Sequence, residues 1–430
     1  MAEQLIESWM RDGKVVDGLM PDFHAICAFG GRRSGSGQDS RALDWALGRL
    51  AALPGQGSRV DVPYDGWHCR RAELTLLSGN GRRLACNPLL RSMSTPAEGL
   101  ELELVDLGQG REEDFMRAGD QIRGRAVLVR HEYPFAATHM HRRRKYDRAV
   151  AQGAAAFLIA NPWEGGGLMS GSSGRGRGQP GIPAAYVDYA AAAALRQEAA
   201  KGTARIRFAV LGEEDENAQA GVGIFQIPGG RPGQVFITAH MDGHDLAQSA
   251  LDNATGVAVA LAAARALAPQ VSDQTASLCI AFFCAEEWAL SGSARYLEQL
   301  PDNARANIKL DINLDTVAGD DSLTALLSDF PALEGYVRQA GQASKVAVDT
   351  WLPFMPNSDH ANFARHGIPA FRLVAGFNRP DSRVRNILSA GDVPGIIQER
   401  EMLQALRLTL GLGWIALRMS DEQLDALKAR

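Results

Sequence analysis

The stretch that most limits what this 430-residue chain can become is residues 235–256, VFITAHMDGHDLAQSALDNATG. A β-branched apolar run opens it and reads as a strand buried on both faces. The run stops at His240-x-Asp242 and a polar loop follows. Asp252-Asn253 then opens a segment of small apolar residues that reads as a helix. An imidazole and a carboxylate thus stand where an apolar scaffold ends. Three later segments repeat the design, an apolar run and then a metal-type side chain: Glu286-Glu287, Asp315 and His360.

From residue 213 onward strands alternate with helices. The strands read over 234–238, 277–283, 308–314 and 370–373, the helices over 256–267, 292–299, 331–342 and 398–419. That rhythm predicts an α/β fold with a mainly parallel, mixed sheet sandwiched by helices. In an open parallel sheet, ligands bind beyond the carboxyl ends of the strands. His240, Glu286-Glu287 and Asp315 fall just past three such ends. Asp252 is expected to cap the helix that follows it, where a carboxylate is electrostatically favoured.

Upstream, residues 23–37 read as loop and 39–53 as a helix stopped by Pro54. Residues 97–212 form a separate block of strands and short helices. The expected division is 1–96 with 213–430 for the main domain and 97–212 for an inserted, β-rich one. Eight glycines in residues 165–181 predict an exposed loop there. The basic run HRRRK, residues 141–145, reads as a solvated helix face, with His139 and His141 as surface residues.

A net charge of −5 and a pI near 6.0 argue against nucleic acid or an anionic membrane as partner. The first ten residues hold two acids and no apolar run of signal-peptide length. No stretch of membrane-spanning length is free of charge. Five scattered cysteines without a CxxC suggest reduced thiols, and the expected compartment is the cytoplasm.

Mixed imidazole and carboxylate donors suit zinc, and less selectively manganese or cobalt. His240, Asp252, Glu287, Asp315 and His360 are too many for one tetrahedral zinc with an open position. They suit two divalent ions sharing a bridging carboxylate. Two such ions about 3.5–4 Å apart activate a bridging hydroxide and clamp a tetrahedral intermediate. Glu286, beside a ligand, is the candidate general base.

The motifs AHMD, LDNATG, CAEEWALSGS, INLDTVAG and NSDHANFARHGIPA, in this order, resemble the co-catalytic di-zinc aminopeptidases of metallopeptidase family 28, which include glutamate carboxypeptidase II. Residues 97–212, through GRAVLVR, AAFLIAN and GIPAAYV, resemble a protease-associated (PA) domain, an insertion common in that family. The resemblance implies a zinc aminopeptidase, phosphorylase/hydrolase-like fold and a set of roles. His240, Asp252 and Asp315 would hold one ion. Asp252, Glu287 and His360 would hold the other. Asp242 would orient His240, and Glu286 would be general base and then general acid. The implied activity is removal of N-terminal residues from peptides. Hydrolysis of a small non-peptide amide or an amine-bearing metabolite, and a catalytically silent receptor-like scaffold, stand as alternatives. A homo-oligomer stays open.

Two departures from the family pattern bear on the substrate. The 240–252 loop is short and lacks a Pro-Gly entry. VRNILSAGD, residues 384–392, stands where the family has His-Thr-x-x-Asp-Thr. Arg372, Arg379, Arg383 and Arg385 cluster nearby and read as surface pairs or as a hold on a substrate carboxylate.

Overall fold

The run that ends at His240 is the strand Gln234–His240, central in an eight-stranded sheet. This is a computed structural model, and it describes residues 2–78, 81–202 and 204–429. Across the sheet the order is Gln56–Pro63, Gln219–Ile227, Ser277–Phe283, Gln234–His240, Ile308–Leu314, Ala370–Ala375, Leu323–Leu326 and Asp349–Trp351. The middle four run parallel, and an antiparallel partner flanks them on each side. Ile308–Leu314 is buried at every position and Ser277–Phe283 at all but its first. That is why Ser277–Phe283 reads as a continuous apolar run, whereas Ile308–Leu314 buries Lys309, Asp311 and Asn313 between its apolar residues.

The helix Thr255–Leu267 is buried at every residue but Arg265. Its small side chains let it lie close to the sheet, and Gly256 marks the closest approach. A Cβ there would stand 2.2 Å from the Leu314 carbonyl oxygen. The span Ala250–Gln270 is long and apolar enough to cross a membrane, but 94% of its most apolar window is buried within the fold. The long helix Glu399–Arg418 packs against Thr255–Leu267 and Ala332–Ser344.

Two elements differ from the sequence expectation. Residues expected as loop from 23 onward belong in part to the helix Leu19–Ala28, whose Leu19, Phe23, Ile26 and Cys27 are buried. The strand Gln219–Ile227 carries little β signal because Gly221 and Gly223 interrupt it. Leu43 methyls would meet a Cβ at either glycine at 2.6 and 2.7 Å, so the helix Gln38–Leu50 needs both to stay bare.

The chain divides into one unit of 1–64, 219–387 and 391–430 and another of 65–218 with 388–390. By internal packing the second unit therefore runs from residue 65 to 218, wider than the 97–212 block read from the sequence. The reason is the strand Gly66–Leu76, which pairs along its length with Arg205–Asp215 in the second unit's own sheet. In that sheet Leu100–Asp106, Ala126–Arg130, Ala156–Ala160 and Ala184–Val187 are parallel neighbours.

Within the second unit two further expectations are corrected. The glycine-rich stretch is not wholly exposed: Met169, Ser170, Ser172, Ser173 and Arg175 are buried. The Arg175 and Ser173 side chains bond to backbone carbonyls of Leu90 and Arg91. Nor is HRRRK a solvated face, because Arg142 and Lys145 are buried. Lys145 Nζ pairs with Glu132 at 2.6 Å and donates to the carbonyls of Gln109 and Arg130. His131 is buried beside Tyr186, and burial with cationic neighbours lowers the pKa of His131, His139 and His141.

Candidate metal centre

His240 is the last residue of its strand, not the first beyond it, and is fully buried. Its Nδ1 lies 3.0 Å from the Asp242 carbonyl oxygen, which can only accept, so Nδ1 carries the proton. Nε2 is thereby left facing the carboxylates. It lies 2.8 Å from Asp252 Oδ1 and 3.7 Å from Asp315 Oδ1. Donor atoms of His240, Glu286 and Asp315 all fall within 4.8 Å of one another.

Asp252 does not cap the helix. It and Asn253 have non-helical backbone in the turn Ala250–Ala254, and Asn253 does the capping. Asn253 Oδ1 accepts from Gly256 N at 2.9 Å and its Nδ2 donates to the Leu314 carbonyl at 2.8 Å. The Asp252 carboxylate is left for His240. Left-handed backbone at Ala285, Ala289, Leu290 and Thr316 bends the chain sharply around Glu286-Glu287 and after Asp315. Non-glycine residues adopt this conformation at a cost and gather at functional sites.

Asp242, fully buried, sits behind the centre. Its Oδ1 lies 3.6 Å from His240 Nδ1 and its two oxygens accept the backbone N–H groups of Glu286 and Glu287. Of the glutamate pair, it is Glu286 whose carboxylate joins His240 and Asp315. Glu287 and His360 lie outside that three-residue group. His360 starts the helix His360–Arg365 and is fully buried. Its Nε2 meets the Met355 carbonyl at 3.2 Å, while Nδ1 is buried with no hydrogen-bond partner among the described residues.

The electrostatics ask for cations. Asp242, Asp252, Glu286, Glu287, Asp315 and Asp359 are all buried. Burial, with Glu287, Asp315 and Asp359 nearby, pushes the Glu286 carboxyl well above its usual range. Burial with Asp242 and Asp315 pushes Asp359 up to about 7. Burial alone would depress the His240 pKa, but Glu286 and Asp315 outweigh it and hold the ring well above its usual value. Asp315 goes the other way, because Arg372 and His240 outweigh its burial. Burial, then Arg372, lowers the His360 pKa to about 3, keeping the ring neutral as a metal ligand must be. Crowded carboxylates, a lone pair on buried His360 Nδ1 and an imidazole held by a carbonyl fit divalent cations of the zinc type.

Sequence reasoning missed the groups that hold this loop in place. Arg32 is wholly buried and donates to the carbonyls of Met241, Gln248 and Ser249 at 2.9, 2.7 and 2.9 Å. It also reaches those of Ile26 and Gly30. Asp392 Oδ1 accepts from Leu251 N at 2.6 Å and Oδ2 lies 3.4 Å from His244 Nε2. His244 therefore belongs to the loop's support. Of the clustered arginines, Arg379 pairs with Asp320 and Asp321 and Arg383 with Glu401.

A parallel-centred α/β sheet whose strand ends gather imidazole and carboxylate donors defines a metallohydrolase class of fold and site. Residues 223–392 match the family model of Peptidase family M28, and residues 97–195 match that of the PA domain. The chain thus contains one segment similar to the M28 metallopeptidases and one similar to the PA domain. Among curated proteins it is 28% identical over 351 residues to the probable lipoprotein aminopeptidase LpqL of Mycobacterium tuberculosis, covering 75% of this chain and 66% of that one. It is 26% identical over 306 residues to aminopeptidase YwaD of Bacillus subtilis, covering 70% and 63%. The matches thus span just under two thirds of these relatives' length. Among solved structures, the zinc aminopeptidase BSAP from Bacillus subtilis aligns with a TM-score of 0.73 at 21% identity, covering 95% of this chain and 96% of that one. An M28 peptidase precursor from Shewanella amazonensis aligns at 0.76 and 20% identity, covering 96% and 95%. At these identities the structural likeness speaks for the fold.

Proposed function

We propose that this chain is a metal-dependent aminopeptidase that releases N-terminal residues from peptides. The observation that carries the reading is the meeting of His240, Glu286 and Asp315 donor atoms within 4.8 Å, inside a buried surplus of carboxylates. His240, Asp252 and Asp315 would hold one divalent ion, and Asp252, Glu287 and His360 a second, zinc first and manganese or cobalt as alternatives. When bound, such ions supply Lewis acidity and make water a nucleophile at neutral pH. The remaining work falls to the chain. Glu286 Oε takes the proton from the attacking water and delivers it to the leaving nitrogen. Burial and the neighbouring carboxylates raise its pKa, as suits a group that must hold a proton between the two steps. Asp242 keeps the His240 ring in the tautomer that presents Nε2.

The aminopeptidase names of two curated relatives support the substrate class. A reducing compartment is supported by the free thiols Cys27, Cys86, Cys279 and Cys284. The experiment is turnover of aminoacyl chromogenic amides by the wild type and Glu286→Gln, with metal content measured on both. Activity lost with metal retained is the expected result. Loss of metal along with activity makes Glu286 a ligand instead. A metal-loaded wild type that turns over no aminoacyl amide defeats the peptidase reading.

A further inference from the structure

Arg372 neither pairs on the surface nor waits for a substrate. It is buried inside the centre, with its side chain 3% exposed. One Nη lies 2.9 Å from Asp315 Oδ1, the same oxygen that His240 Nε2 approaches at 3.7 Å. The guanidinium is fastened on its other sides too. Nη1 donates to the Asn357 carbonyl at 2.8 Å, Nε to the Asp315 carbonyl at 3.3 Å, and Nη2 to Thr316 Oγ1 at 3.3 Å. The strand Ala370–Ala375 runs parallel to Ile308–Leu314, with Arg372 opposite Asn313, and this register delivers the side chain to Asp315. Swinging the fork away would strip donors from buried acceptors, which is costly. The charge cannot be shed either, because guanidinium stays protonated in proteins.

An ion that uses Asp315 must therefore share that carboxylate with a permanent cation. A neutral hydrogen-bond donor behind a ligating carboxylate orients it and helps binding. A guanidinium also orients it, but adds a like charge a few ångströms from a divalent ion in a buried site, where repulsion is poorly screened. The Asp252, Glu287 and His360 set does not include the contested carboxylate, and Arg372 acts on it only as a through-space charge near His360.

We propose that Arg372 splits the centre into a tight ion on the Asp252–Glu287–His360 side and a weak, exchangeable one on the His240–Asp252–Asp315 side. This rests on the two-ion reading above and adds to it an order of filling. The chain would keep about one ion through purification and draw the second from the free divalent cations around it.

The test is titration of the metal-free full chain with Co²⁺, followed by d–d absorbance and by calorimetry. The wild type should fill in two steps whose dissociation constants differ by about a hundredfold or more. Arg372→Met should tighten the weak step by about tenfold or more, roughly 1.4 kcal/mol, and tighten the other step by less, because the guanidinium bonds to Asp315 and acts on His360 only through space. Arg372→Gln removes the charge but keeps a donor for the Asn357 carbonyl, so it should act in the same direction if the Met variant does not fold. Arg372→Lys keeps the charge and should leave the weak step weak. Two equal steps in the wild type, or a weak step unmoved or loosened in the neutral variants, overturn the proposal while leaving a two-ion centre standing. Absence of cobalt binding overturns both.

Discussion

Asp242 Oδ1 accepts the backbone N–H of Glu286 at 3.0 Å, so the carboxylate behind His240 also holds the turn that carries the glutamate pair. One side chain thereby ties the ends of two neighbouring strands. Asp242→Asn removes the charge and forces an amide N–H₂ against a backbone donor. Ion affinity should fall about 10- to 100-fold, as when outer-sphere partners of metal ligands are removed elsewhere. A competitive chelator titration measures this. Unchanged affinity would mean that Asp242 only fills space.

Arg32 fastens both ends of the 241–249 loop through the carbonyls of Met241, Gln248 and Ser249. Arg32→Met leaves these acceptors bare, two of them buried. Stability in urea should drop by about 3 kcal/mol or more, with weaker ion binding as the loop loosens. Arg32→Lys should rescue little, because three rotatable donors cannot reproduce a planar fork.

In the second unit His131 is buried, and burial with Arg142 and Lys145 holds its pKa well below the usual value. Below about pH 6.5 the unfolded chain takes up a proton that the folded chain refuses, so stability is present above that pH and is lost as pH falls. The expected slope is about 1.4 kcal/mol per pH unit for this histidine. Unfolding of the wild type and His131→Gln, followed between pH 7.5 and 5.5, should show a shallower acid loss in the variant. Parallel curves would remove His131 from the account.

What could be read from the sequence was what is written locally. Ser277–Phe283 is a largely apolar run and Ile308–Leu314 alternates apolar with polar residues, and the bounds of both could be read from that pattern. Asp252 was read as the helix cap, but the capping residue is its neighbour Asn253. Arg32 left no signal, since it binds backbone carbonyls more than 200 positions away. Arg372 read as one of a cluster of arginines, and only the register against Ile308–Leu314 reveals Asp315 as its partner. Lys145 looked like part of a solvated run because its partner, Glu132, lies 13 residues earlier, before the helix begins.

The central claim is that residues from five separate segments build one two-ion centre, and anomalous diffraction at the zinc edge from zinc-loaded crystals tests it most directly. The account predicts two peaks, one bounded by His240, Asp252 and Asp315 and the other by Asp252, Glu287 and His360, with ligand atoms about 2.0–2.2 Å from each. Absence of a peak beside His240, or peaks coordinated by other residues, would contradict it.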